Sequence, residues 1–242
     1  MPFTFSHPAI VLPVTYLPRK WYSLTGLIIG NLTPDFEYFL RMKVESNYSH
    51  TLSGVFWFDL PLGILFAFIF HNIVRNKLFY NLPTVLKTRL LAFNDFNWNY
   101  YFKKNWFVVI VSIIIGALSH IFWDSFTHDS GFFVQTIPSL KTSIDFLGIR
   151  FAIFKILQHG STIIGGFIII YAILKLPANE KIISRFNLKY WGWWAVLTLT
   201  NISLKLFSGL DYRLYGQVIV TGISAGLISL ILTSWLTKRN TN

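Results

Sequence analysis

Residues 215–236, YGQVIVTGISAGLISLILTSWL, run without a single Asp, Glu, Lys or Arg. About 20 apolar residues, at a rise of about 1.5 Å each, cross the ~30 Å hydrocarbon layer of a bilayer as one helix. The same reading works back along the chain. Residues 52–71 (LSGVFWFDLPLGILFAFIFH), 106–123 (WFVVIVSIIIGALSHIFW), a stretch starting near Gly160 (GSTIIGGFIIIYAILKL) and 191–207 give four more crossings, and so about five. The fold class expected is an all-α, polytopic helical membrane protein.

The composition agrees. Of the 242 residues, 53% are hydrophobic and 13% charged, against roughly 25% charged in a typical soluble domain. A soluble chain could not bury this much Phe, Ile, Leu and Trp without exposing large apolar patches. The net charge of +11 falls in short loops between apolar runs, the usual pattern of loops facing the cytoplasm, so no nucleic-acid partner is expected. The lipid bilayer is the expected partner; oligomeric state is not readable. Loops opposite the His-bearing side carry more Lys and Arg, including Lys238 and Arg239. That puts the C-terminus in the cytoplasm of a cell membrane. The opening MPFTFSHPAIVLPV has no basic residue before its apolar stretch, and Pro2, Pro8 and Pro13 break any short helix, so it reads as mature protein.

One membrane domain over 1–242 is the economical organisation, with the motifs in 1–175 and two further transmembrane helices in 176–242. Residues 21–32 are apolar but too short to cross alone and are broken by Gly26 and Gly30; they read as re-entrant, interfacial or packed on the bundle. Residues 75–104 are basic, with Leu78, Leu82, Leu86 and Leu90 at helical spacing, and predict one or two amphipathic interfacial helices.

No cysteine is present, so a metal would have to use His nitrogen and carboxylate oxygen. If each span crosses once, His50, His120, Asp124, His128 and His159 fall on one face of the membrane, joined by His7 and Asp35 unless 21–32 crosses. His71 falls on the other. His120 and Asp124 are four apart, one helical turn on a shared face, and imidazole with carboxylate suits zinc, manganese or iron. The competing reading is a His–Asp hydrogen-bond network that braces helices. In GNLTPDFEYF (30–39), Pro34 reads either as a turn exposing Asp35 or as a helix start with Asp35 near its N-terminus. Asp59 lies inside the first span, where a carboxylate needs a partner, a proton or water.

MPFTFSHP, GNLTPDFEYF, YSHT, FDLPLG, SHIFWDSFTH and QHGST, in that order, resemble a bacterial family of membrane proteins, the domain of unknown function 4184 family. The resemblance covers the chain to about residue 175. That family in turn resembles membrane-bound metal-dependent hydrolases of the YdjM type. More remotely, it resembles the zinc-dependent phospholipase C and P1 nuclease group, all-helical enzymes that hydrolyse phosphoesters with three zinc ions. The resemblance implies a metal set of His7, Asp35, His50, His120, Asp124, His128 and His159, with Asp35 and Asp124 as catalytic carboxylates. It implies one to three divalent ions, zinc first, with manganese and iron as alternatives. It further implies hydrolysis of a phospholipid or amphiphilic phosphoester. Two departures favour fewer than three ions: no N-terminal Trp amine is matched, and Ile163 stands where those enzymes carry a ligand Glu. The alternative is a non-enzymatic membrane protein, scaffold or small transporter, with a structural His/Asp cluster.

Overall fold

The computed structural model describes residues 3–146, 148–182 and 186–237. Lys238 and Arg239, on which the orientation of the C-terminus rests, lie outside them. The protein is all-α apart from one short hairpin. In order it has a 3-10 helix (Thr4–Tyr16), α1 (Leu24–Arg41), a long α2 (Leu52–Asn81), α3 (Thr84–Leu90) and α4 (Trp98–Thr127). Then come α5 (Phe132–Thr136), the antiparallel β1 (Ser143–Phe146) and β2 (Ile149–Ala152), α6 (Ile153–Leu174), α7 (Leu188–Phe207) and α8 (Tyr215–Leu236).

Among the described residues, four segments are long and apolar enough to span a membrane: Leu52–Asn81, Trp98–Thr136, Ile153–Leu174 and Tyr215–Leu236. With α7, 20 residues long and more polar through Lys189, Asn201 and Lys205, they account for the five expected crossings. The third begins at Ile153 rather than near Gly160. Its outward side shows what surrounds it: Ile163, Ile164, Phe167, Ile170 and Tyr171 are all more than half exposed. In water such a stripe would be costly; against acyl chains it is the solvated face.

The chain divides into two compact units interleaved in sequence. The first, 1–35, 48–64 and 105–172, holds the His/Asp residues. The second, 36–47, 65–104 and 173–242, contains α3, α7 and α8. In the second, α8 packs on α7 through Tyr190 Oη to Ser234 Oγ (3.1 Å) and Trp194 Nε1 donating to the Gly226 carbonyl (3.0 Å).

Two sequence expectations change in the first unit. Gly26 and Gly30 do not break a helix; they lie inside α1 and press it onto α4. A Cβ at Gly30 would sit 2.2 Å from the Ile113 carbonyl oxygen, and one at Gly116 2.4 Å from that of Leu27. This is small-residue packing of the kind that lets membrane helices touch backbone to backbone. Of the three readings of 21–32, packing on the bundle is the one observed.

Nor do the prolines prevent helix at the N-terminus, since Pro8 and Pro13 sit within the 3-10 helix Thr4–Tyr16. The ring's fixed φ near −65° is already that of a 3-10 turn, and the missing N–H removes only one bond per proline.

Candidate metal centre

Close packing of α1 on α4 builds the first half of the site. Asn31, next to Gly30, is fully buried, and its Nδ2 donates to Ser119 Oγ (2.9 Å). Its carbonyl oxygen lies 2.7 Å from His120 Nδ1. A carbonyl only accepts, so Nδ1 carries the hydrogen and the His120 lone pair is at Nε2. One turn along α4, Asp124 turns Oδ2 to within 3.3 Å of that Nε2. The expected shared face of His120 and Asp124 is therefore present.

The second half comes from the segment around Pro34 and the start of α2. The 30–39 stretch is neither an exposed turn nor a helix start: Pro34 lies inside α1, and Asp35 is fully buried. Pro34 cannot donate to the Gly30 carbonyl, which accepts instead from Thr33 Oγ1 (2.7 Å). The Pro34 carbonyl receives the buried Ser49 hydroxyl at 2.7 Å, and Ser49 Oγ lies 3.1 Å from His50 Nδ1. With its own proton on Pro34, the hydroxyl accepts from Nδ1–H, which again leaves the lone pair at Nε2.

Four ligand atoms then converge. His50 Nε2 lies 3.6 Å from Asp35 Oδ1 and 3.6 Å from Asp124 Oδ2; His120 Nε2 lies 3.6 Å from Asp35 Oδ1. All four fall within 4.8 Å of one another. Ligands about 2.0–2.1 Å from a tetrahedral zinc stand roughly 3.3–3.4 Å apart, and the four His–carboxylate spacings, 3.3–3.6 Å, lie close to that. These inner contacts are long for hydrogen bonds: Asp35 Oδ1 and His120 Nε2 are buried and have no hydrogen-bond partner among the described residues. Two carboxylates this close repel by about 3–4 kcal/mol at an effective dielectric near 20, a cost a shared cation reverses.

Outside the spans, the electrostatics reflect the pairing of these rings with these carboxylates. Burial alone would raise the Asp35 carboxyl, but the facing His120 and His50 rings outweigh it and hold it well below the usual carboxylate range. Burial would likewise lower His50, yet Asp124 and Asp35 raise it.

The remaining candidates divide. His7 Nε2 reaches Asp124 Oδ1 at 3.0 Å, and its ring stacks on His120 with centroids 4.1 Å apart. His128 Nδ1 lies 3.2 Å from the Asp124 carbonyl and 3.5 Å from its Oδ1. Both thus gather at Asp124 but stand outside the four-atom group.

His159 is not brought to the cluster. It is exposed, as is Ile163 one turn on, so both lie on the outward face of α6. The inward face carries Gln158, buried, with Thr162 Oγ1 accepting from the Phe3 amide (3.0 Å) and Gly165 against the Ser6 carbonyl. Asp59 is fully buried within α2 but is not among the four. Sequence reasoning missed Thr4, Ser49 and the Asn31 carbonyl. Thr4 Oγ1 donates to Asp35 Oδ2 at 2.5 Å. No spacing in the sequence signals them: a single hydroxyl or a backbone carbonyl shows its role only once the helices are packed.

The chain belongs to the family described as domain of unknown function (DUF4184), whose model matches residues 1–235. Among curated proteins and among solved structures, no match to the chain is found.

Proposed function

We propose that this member of the DUF4184 family is a metal-dependent hydrolase of phosphoesters, acting on phospholipids or other amphiphiles at a membrane face. The observation that carries the reading is the convergence of Asp35 Oδ1, His50 Nε2, His120 Nε2 and Asp124 Oδ2, each aimed by a partner behind it. Oxygen and imidazole donors without sulfur suit zinc, with manganese and iron as alternatives. A divalent ion there supplies a bound water acidified toward a pKa of about 7 and polarises the oxygen under attack.

The chain's own residues would do the rest. Asp35 and Asp124, the expected catalytic pair, hold the ion through one oxygen each. His50 and His128 are the most open members, their side chains 23% and 27% exposed against 0% for His120. Substrate approach is therefore from their side. With its Nδ1 hydrogen directed at the Asp124 carbonyl, His128 offers Nε2 to take or give a proton there. Exposed Tyr48 and Leu52 flank His50 in sequence, and exposed Phe132 follows His128. Exposed apolar side chains this near in sequence to the two more open histidines favour an amphiphile over a free phosphate ester.

A second reading has one observation behind it. Four protein ligands are the full set of a closed structural zinc site, whereas catalytic sites usually keep a position for water. On that reading the ion only braces α1, α2 and α4. Metal content of detergent-purified protein, measured by mass spectrometry beside His120→Ala and Asp124→Ala, tests both. A tightly held ion lost in both variants, with hydrolysis of phosphoesters or phospholipids, supports the hydrolase. A held ion without hydrolysis leaves the brace. No ion in folded protein after incubation with zinc and manganese overturns both.

A further inference from the structure

We infer that Thr4 and His7 form a clamp that presents the two carboxylates to the ion, and that His7 acts through Asp124 instead of ligating a metal itself. The inference rests on the metal reading above and extends it to residues behind the ligands. Thr4 and His7 are three apart in the 3-10 helix Thr4–Tyr16. In that helix, with three residues per turn, side chains at i and i+3 eclipse and leave on one face. Each takes the outer oxygen of a different carboxylate: Thr4 Oγ1 holds Asp35 Oδ2 at 2.5 Å, and His7 Nε2 holds Asp124 Oδ1 at 3.0 Å. The inner oxygens, Asp35 Oδ1 and Asp124 Oδ2, are the two in the four-atom group. One helical turn thus fixes the rotamer of both carboxylates, 89 residues apart in the chain.

The clamp is itself held. The Phe3 amide donates to Thr162 Oγ1, and Gly165 lets Ser6 approach α6 so closely that a Cβ would lie 2.6 Å from the Ser6 carbonyl. Both residues are buried, Thr4 at 2% and His7 at 5% exposure. His7 Nδ1 has no hydrogen-bond partner among the described residues, so the tie to Asp124 is the ring's polar anchor, with stacking on His120 as its other constraint. Partners behind metal ligands commonly set affinity by 10–100-fold without binding the ion.

The test titrates chelator-treated, full-length protein in detergent with zinc alone and with cobalt(II) alone. Readouts are stoichiometry, affinity and the visible cobalt spectrum. Wild type is expected to bind one ion per chain. Thr4→Val, which keeps the shape and loses the hydroxyl, and His7→Ala should each weaken binding by about 10–100-fold and alter the cobalt spectrum. Thr4→Ser and His7→Gln, which restore a donor, should recover most of the affinity, and stoichiometry should stay at one throughout. Two ions in wild type with one lost in His7→Gln would make His7 a ligand and overturn the clamp. Unchanged affinity in folded Thr4→Val would do the same while leaving the metal centre standing. Absence of binding to wild type would instead remove the metal reading, and the clamp with it.

Discussion

Among the described residues each compact unit buries histidine, a cluster in the first and His71 alone in the second, and the two surroundings are finished differently. In the second unit His71 stacks on Trp98, with centroids 4.6 Å apart, and its Nδ1 accepts from Arg75 Nη1 at 2.9 Å. The same guanidinium donates to the carbonyls of Phe96 (2.8 Å) and Asn94 (3.0 Å) and, through Nε, to Asn76 Oδ1 (2.9 Å). A cation has taken the place an ion would need, and its fork is spent on closing the loop that leads into α4. In the first unit the histidines face carboxylates instead, and Asp35 Oδ1 and His120 Nε2 are buried without a hydrogen bond among the described residues. The difference teaches that a buried histidine signals metal only when the ring nitrogen facing the negative charge is itself left without a hydrogen bond, as His120 Nε2 is and His7 Nε2 is not.

Adding metal should separate the two surroundings most. At an ion concentration about 1,000 times Kd, binding stabilises by roughly 4 kcal/mol, and the gain should depend on pH with a defined sign. His50 is raised above its ordinary value, so in the metal-free chain its pairing with Asp124 and Asp35 stabilises fully below about 6.5 and is lost as pH rises through the raised value. Asp35 is depressed, so its contribution holds above about 3.9 and is lost only as pH falls through its lowered value. Zinc bound there would replace the His50 proton. The zinc-induced rise in Tm should therefore grow as pH climbs past the His50 range, and a pH-independent rise would count against the site.

Arg75→Ala should cost about 2–4 kcal/mol, through several charge-assisted hydrogen bonds lost and carbonyls left buried, while metal content stays at the wild-type level. Loss of metal in a folded Arg75→Ala protein would break the contrast between the two surroundings. Ser49→Ala should weaken zinc binding about tenfold by freeing the His50 ring, with Ser49→Thr recovering it; equal affinities in a chelator competition would show that the hydroxyl does not orient His50. Smallest of all, His159→Ala should leave metal content unchanged and stability within about 0.5 kcal/mol, and any lost ion would return His159 to the ligand set.

What the sequence made legible follows from periodicity. The apolar runs stand out because lipid demands them, and the four spans and α7 appear where those runs lie. The pairing of His120 with Asp124 was readable because i and i+4 meet on any helix. Distances across helices were not readable, so His7, Asp35, His50 and His128 could be set on one side but not given separate roles. His159 was misplaced by one position. With α6 beginning at Ile153, Gln158 and Thr162 take the inward face and His159 with Ile163 the outward one. Gly26 and Gly30 read as breaks because composition cannot distinguish a glycine that ends a helix from one that lets another helix touch it, and Pro34 reads as a turn or a helix start although it lies inside α1. Thr4 and Ser49 carry no pattern at all; a lone hydroxyl shows its purpose only beside the group it holds.

The clamp sets the order in which this protein can be completed during synthesis. Thr4 and His7 leave the ribosome well before one of the carboxylates they grip, residue 124, at the far end of a helix that begins at Trp98. Until that helix has been inserted and its end has come back to the amino-terminal turn, Asp35 and His50 lack half of their partners. If the site holds an ion, its retention would report on finished topology, available only to a chain threaded as far as α4.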